Sequence, residues 1–189
     1  MKECWKPGTM VYPIPAVLVS CGTEPSEYNL VTVAWTGTIN SDPPMCYISL
    51  RKSRYSHEII SRTRQFTINL TNAPLAKATD WCGVKSGRDV NKWDSMHLTP
   101  QPGVMIDCPY VSESPLSIEC IVKNIIPLGS HDMFIADVVN VIAETDFIDT
   151  TTGAFNLEKA DMLVFCHGAY YHMGKKIGKF GWSVSKKKK

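Results

Sequence analysis

Apolar residues recur along this chain mostly with a period of two, the signature of strands with one buried face. From residue 29 to 39, Val31, Val33 and Trp35 alternate with Thr32, Ala34 and Thr36. From 115 to 126, Leu116, Ile118, Cys120 and Val122 alternate with Ser117, Glu119 and Lys123. Residues 11–20 are β-branched and interrupted by Pro13 and Pro15, which suits an edge or entry strand. Shorter strands are expected at 45–50, 66–70 and 162–166. Residues 133–142 are apolar on both faces and predict a strand covered on both sides, by an outer layer such as a second subunit. Two helices interrupt the pattern. Ser56 can cap the first, with Glu58 in its first turn. Asn72 can cap the second, with Pro74 following and Gly83 just past its end. Many short strands, few helices and no βαβ alternation argue for a closed antiparallel barrel.

The composition agrees. A chain of 189 residues suffices for one domain with its own core, and 44% apolar with 20% charged residues is a globular balance. The net charge of +2 is unevenly spread: seven lysines and no acid follow Met162, leaving 13 cations against 18 anions upstream. We expect an N-terminal arm over 1–12, one domain over 13–182 and a basic, disordered tail over 183–189. That tail lacks the interleaved aromatics of a nucleic-acid surface and reads as a solvated terminus; neither nucleic acid nor membrane is expected as a partner. Seven cysteines, an odd number with no C-x-x-C, fit reduced thiols and a cytoplasmic protein.

Most chemical signatures are missing. There is no G-x-G-x-x-G, P-loop, G-x-S-x-G or H-E-x-x-H motif, and His57, His97, His131, His167 and His172 have no metal-site spacing. No catalytic nucleophile, general acid or metal ligand stands out. What remains is a strand ending in Trp35-Thr36-Gly37-Thr38, then a second strand delivering Ser49, Arg51, Lys52, Ser53, Arg54, Tyr55 and Ser56. Cations and hydroxyls so concentrated suit a phosphate monoester, although a surface turn would look the same. Ser86-Gly87-Arg88-Asp89, followed by Lys92, is a lesser cluster that taken alone reads as a surface turn. Trp35 fits a core aromatic as well as a ligand-side one, and His131 fits a strand-end polar residue.

Seven segments in order, NLVTVAWTGT (29–38), PPM (43–45), SLRKSRYS (49–56), FTINL (66–70), WCGVKSGRDVNK (81–92), GSHDMFIADV (129–138) and HGAYYHMGKKIG (167–178), resemble the flavin reductase-like, FMN-binding split-barrel family, and within it the flavoredoxin branch. The resemblance implies a mainly β fold, a Greek-key antiparallel split barrel with a few short flanking helices. It also implies FMN as cofactor. Asn29 and Trp35, Thr36, Gly37 and Thr38 would lie along the flavin ring. Ser49, Arg51, Ser53, Arg54, Tyr55 and Ser56 would follow the ribityl chain and phosphate. Ser86, Gly87, Arg88, Asp89 and Lys92 would close over the cofactor, with His131 near the ring. A homodimer is implied, as is electron transfer from NAD(P)H or from a redox protein such as ferredoxin. An NAD(P)H:flavin reductase and a carrier between redox proteins both fit, and a non-catalytic flavin-binding or sensor module is the alternative. The lysine tail would offer an acidic ferredoxin a docking patch.

Overall fold

The computed structural model describes residues 1–184; the basic stretch 185–189, most of the expected tail, lies outside the described residues. Seven strands form the main sheet: β1 (Val17–Cys21), β2 (Asn29–Val33), β3 (Thr36–Ser41), β4 (Pro44–Leu50), β5 (Gln65–Leu70), β6 (Leu116–Pro127) and β7 (Asp132–Ala143). Every pairing is antiparallel, in the order β2-β1-β5-β6-β7-β4-β3. The two edge strands, β2 and β3, are consecutive in the chain and separated only by Ala34 and Trp35. The sheet must therefore curl until its edges meet. At the seam the Ser49 N–H donates to the Trp35 carbonyl at 2.8 Å, carrying the β3–β4 pairing one residue past Thr36. The alternation predicted one strand over 29–39 and a closed barrel. Instead the run breaks at Ala34–Trp35, and the seam carries no strand ladder among the described pairings.

The barrel interior is filled by Val17, Val19, Val31, Val33, Ile48, Phe66, Ile68, Cys120 and Phe134. Helix α1 (Tyr55–Thr63) inserts Ile59 and Ile60 into the same core. It stops at Arg64, whose left-handed backbone (φ 58°) returns the chain to β5. Arg54 rather than Ser56 occupies the cap position of α1; Ser56 is buried inside the first turn.

A second apolar layer covers the outside of β1 and β2. Helices α2 (Ala76–Val84) and α3 (Lys92–Met96) bring Ala78, Cys82 and Trp93 against Leu18 and Leu30. Both strands are thus covered on two faces, where simple alternation implied one. Asn72 caps a short 3₁₀ turn, Ala73–Leu75, that leads into α2. Gly83 lies within α2 rather than beyond it, because the helix presses on β2: a Cβ there would sit 3.2 Å from the Thr32 Cβ. Val11 is exposed, and the expected strand over 11–20 is reduced to Ile14–Pro15 and β1. Ile14–Pro15 pairs with β8 (Leu163–Cys166), which in turn pairs with β9 (Ala169–His172). β7 is buried on one face and only half-buried on the other within this chain, so the cover expected for its outer face is not supplied intramolecularly.

Glu119 projects from β6 with no exposed surface. Its carboxylate accepts from the Val104 N–H (2.6 Å), the Met105 N–H (3.0 Å) and Asn140 Nδ2 (2.9 Å). Truncation would strand two backbone donors and open a cavity. Glu119→Ala should therefore lower unfolding free energy by about 3 kcal/mol, read as a fall in the urea midpoint.

Candidate functional site

The seam of the barrel is also its groove. A slot of about 180 Å³ runs along it, walled by Val31 to Trp35 on one side and Ser49, Leu50 and Arg51 on the other, with Arg54 and His131. Val31 and Arg54 continue into a smaller cradle of about 80 Å³, lined by Asn29, Ser53, Tyr55, Ser56, Lys85, Ser86, Gly87 and Lys92. The concavity is built where β2 lacks a neighbour and its backbone edge is left for other partners.

The cradle follows from the turn between β4 and α1. The Arg54 N–H donates to the Arg51 carbonyl at 3.0 Å, folding Arg51, Lys52 and Ser53 back over the start of the helix. The His57 N–H donates to the Arg54 carbonyl at 3.0 Å; the N–H groups of Tyr55 and Ser56 at the start of α1, with the helix dipole, favour an anion. Arg51, Ser53 and Arg54 are exposed, while Ser56 is buried and accepts from Asn29 Nδ2 at 2.8 Å. Two residues absent from the sequence-based set anchor the turn from behind. Asp132, only 6% exposed, meets His57 Nε2 at 2.9 Å and Lys52 Nζ at 3.5 Å. Their separation in sequence, 75 positions for the His57 pair, hid this anchor from any local reading.

The second cluster does join the first. The loop after α2 lies so close to β2 that a Cβ on Gly87 would fall 2.0 Å from Asn29 Oδ1, which explains the glycine. Arg88 lies over the Tyr55 ring, 4.9 Å from its centroid, and reaches Glu58 at 3.0 Å. Ser86 accepts from the Arg88 N–H at 3.2 Å. Asp89 sits just outside the cradle. Lys92 plays a structural part: it is 4% exposed, and its Nζ donates to the carbonyls of Leu30 (2.8 Å) and Cys82 (2.7 Å). It thereby satisfies an edge carbonyl of β2 while its amine borders the cradle. Burial, reinforced by nearby Arg54, pulls its pKa below the ordinary amine value.

Trp35, Ser49, Arg51 and His131 line the slot, whereas Thr36, Gly37 and Thr38 do not. Thr36 is buried and donates to the Tyr47 carbonyl at 2.7 Å, and Gly37 lies against the Tyr47 ring. Thr38 is exposed farther along β3. Val33 and Leu50, apolar parts of the slot wall, escaped notice because their sequence signal is that of any core strand.

The chemistry available is binding rather than covalent catalysis. Cys21 at the end of β1 and Cys82 within α2 are buried, and burial pushes their thiols up to about 12 and about 11. No group of three His, Cys, Asp or Glu among the described residues is placed to hold a metal ion. A wider concavity, about 1050 Å³, lies elsewhere, under the C-terminal segment 173–183; that segment leaves Ile177 and Phe180 almost fully exposed.

His131 has its pKa lowered by burial and secondarily by the Arg51 charge. A neutral ring at pH 7 follows, with a slot edge able to accept or donate. Removing the cation while keeping the burial separates the two causes. Arg51→Ala should move the His131 titration midpoint upward, towards but not past the ordinary value of 6.5, as followed by NMR of its ring protons.

Comparison with known proteins places this architecture. The flavin reductase like domain family matches residues 9–174. The flavoredoxin of Desulfovibrio vulgaris (Miyazaki F) superposes with a TM-score of 0.91 at 30% identity, covering 98% of this chain and 100% of that one. A flavoredoxin from Methanosarcina acetivorans gives 0.88 at 25% identity, with 98% and 100% covered. The NADH-dependent flavin reductase StyB of Pseudomonas fluorescens is 26% identical over 137 residues, 71% of this chain and 75% of the other. With its split antiparallel barrel and a match spanning most of its length, the chain belongs to the flavin reductase-like domain family.

Proposed function

We propose that this protein binds FMN in the slot and cradle and passes electrons through it, as an NAD(P)H:flavin reductase or as a flavoredoxin-like carrier. One observation carries the reading: a slot flanked by Trp35 and a cationic cradle share walls at Val31 and Arg54, matching a flat ring joined through a short chain to a phosphate. The residues fit the group. Arg51, Arg54, Ser53, Ser56 and the α1 N-terminus form a donor set for a phosphate with two charges, and Gly87 keeps the loop close. Val31, Val33, Trp35 and Leu50 supply an apolar face for a ring. When bound, FMN supplies the redox chemistry, accepting and releasing electrons at its ring. The chain's own tasks are to grip the phosphate, hold the ring at the seam and present N–H donors and the neutral His131 at its edge.

The relatives support this reading on both sides, two being flavoredoxins and one an NADH-dependent flavin reductase. All seven cysteines are free, Cys46 and Cys120 staying unbonded with sulfurs 3.5 Å apart, which suits a reducing cytoplasm. No described helix is long and apolar enough to cross a membrane. For a homodimer, support comes from the half-buried outer face of β7, from Val141 on β7 itself (50% exposed) and from Ile121 on the adjacent β6 (42% exposed).

Titrating cofactor-free protein with FMN should quench flavin fluorescence at one site per chain. Arg51→Ala and Arg54→Ala should each raise the dissociation constant about tenfold, since exposed cations contribute less than buried ones. Unchanged affinity in the double variant removes the cradle from the phosphate site. Anaerobic reduction of the complex then divides the two roles: rapid bleaching by NADH or NADPH assigns a reductase, and bleaching only by a reduced redox protein assigns a carrier.

A further inference from the structure

Three cations line the cradle, and one of them is out of water. Arg54 and Lys85 are exposed, whereas Lys92 is 4% exposed. A protonated Nζ has three hydrogens to donate. Two positions are spent on the carbonyls of Leu30 (2.8 Å) and Cys82 (2.7 Å). Those two bonds are as many as a neutral amine can make. The third position is left for the cradle that Lys92 lines. Among the described residues no carboxylate lines this cradle, so nothing there balances a third proton. A buried ammonium without an anion is costly, and an anion entering the cradle supplies what is missing.

We propose that Lys92 takes up a proton as a phosphate enters the cradle and donates its third N–H to that phosphate, so that the site holds phosphorylated flavins by a latch that loosens in alkali. The inference rests on the flavin reading above and adds a proton to it.

The surroundings of Nζ decide when the proton arrives. In the empty cradle, burial and then the Arg54 charge hold the Lys92 pKa below the ordinary amine value. A phosphate monoester has lost its second proton above about pH 6, so in alkaline solution it enters as a dianion and raises the pKa of the amine it meets. The sign follows. Lys92 binds its proton more tightly in the complex, so affinity is full below the empty-cradle pKa and falls as pH rises through it. The groups facing Lys92 from β1 and α2 stay silent: the Cys21 and Cys82 thiols, pushed up to about 12 and about 11, remain protonated. Arg54 remains charged. Lys85 and Tyr55 also line the cradle and carry protons, so each needs a control.

The test titrates the full-length, cofactor-free chain with FMN and with riboflavin, which has the same ring and no phosphate, between about pH 7.5 and about pH 9.5. Calorimetry in buffers of different ionisation enthalpy counts the protons. FMN should take up a fraction of a proton that grows with pH, and its affinity should fall with a slope approaching about tenfold per pH unit. Riboflavin should take up none and hold within about twofold. In Lys92→Met the uptake should vanish, while Lys85→Met and Tyr55→Phe retain it. The proposal is overturned by FMN binding without uptake, by equal uptake with riboflavin, by uptake surviving in Lys92→Met, or by its loss in either control. Lys92→Met also leaves two buried carbonyls unpaired; should it not fold, the native comparison of the two flavins still decides. A native chain that binds neither flavin sinks the parent reading, whereas FMN bound without a proton sinks only this one.

Discussion

The structure turns on a single topological constraint: the first and last strands of the seven-stranded sheet are separated by two residues. Ala34 and Trp35 cannot span a flat sheet of that width, so the sheet curls until β2 and β3 stand side by side. Closure by a full ladder would leave a sealed barrel. Here the β3–β4 pairing runs on as far as the bond from Ser49 to Trp35, and beyond it β2 keeps a free edge. The exposed backbone that proteins usually hide at sheet edges becomes the floor of the candidate site.

Packing outside the barrel then decides what that edge can hold. α2 and α3 bury the outer faces of β1 and β2, and Lys92 takes the Leu30 carbonyl. Covered on both faces, β2 becomes a rigid wall. The same packing carries the Ser86–Asp89 loop onto Asn29, so two clusters some 30 residues apart in sequence share one cradle. Asp132, distant in sequence but opposite Leu50 on the neighbouring strand β7, fixes the turn that supplies the arginines. Cation placement therefore depends on strand order as much as on local sequence.

The buried polar groups have architectural work to do. Asn69 bonds the Leu18 carbonyl and Ser20 Oγ, and accepts from the Val111 N–H and Ser117 Oγ. Glu119 holds the loop at 104–105 in the same manner. Such satisfied networks specify one arrangement of β1, β5 and β6 among several that apolar packing alone would tolerate. The rigidity matters for a site whose walls are strands rather than loops.

By itself, the sequence determined the strand periods, the antiparallel β class, the Arg51–Ser56 cluster and, through seven ordered segments, the family. These are local properties: alternation, turn chemistry and short runs of charge are written in neighbouring residues. Tertiary structure decided where the 29–39 strand breaks, why Gly83 lies inside a helix, and that Thr36 to Thr38 turn away from the slot while Trp35 stays in it. It also made Lys92 a buried strut and revealed Asp132. Each of these rests on contacts between residues distant in the chain, and a period of two does not encode which strand becomes whose neighbour.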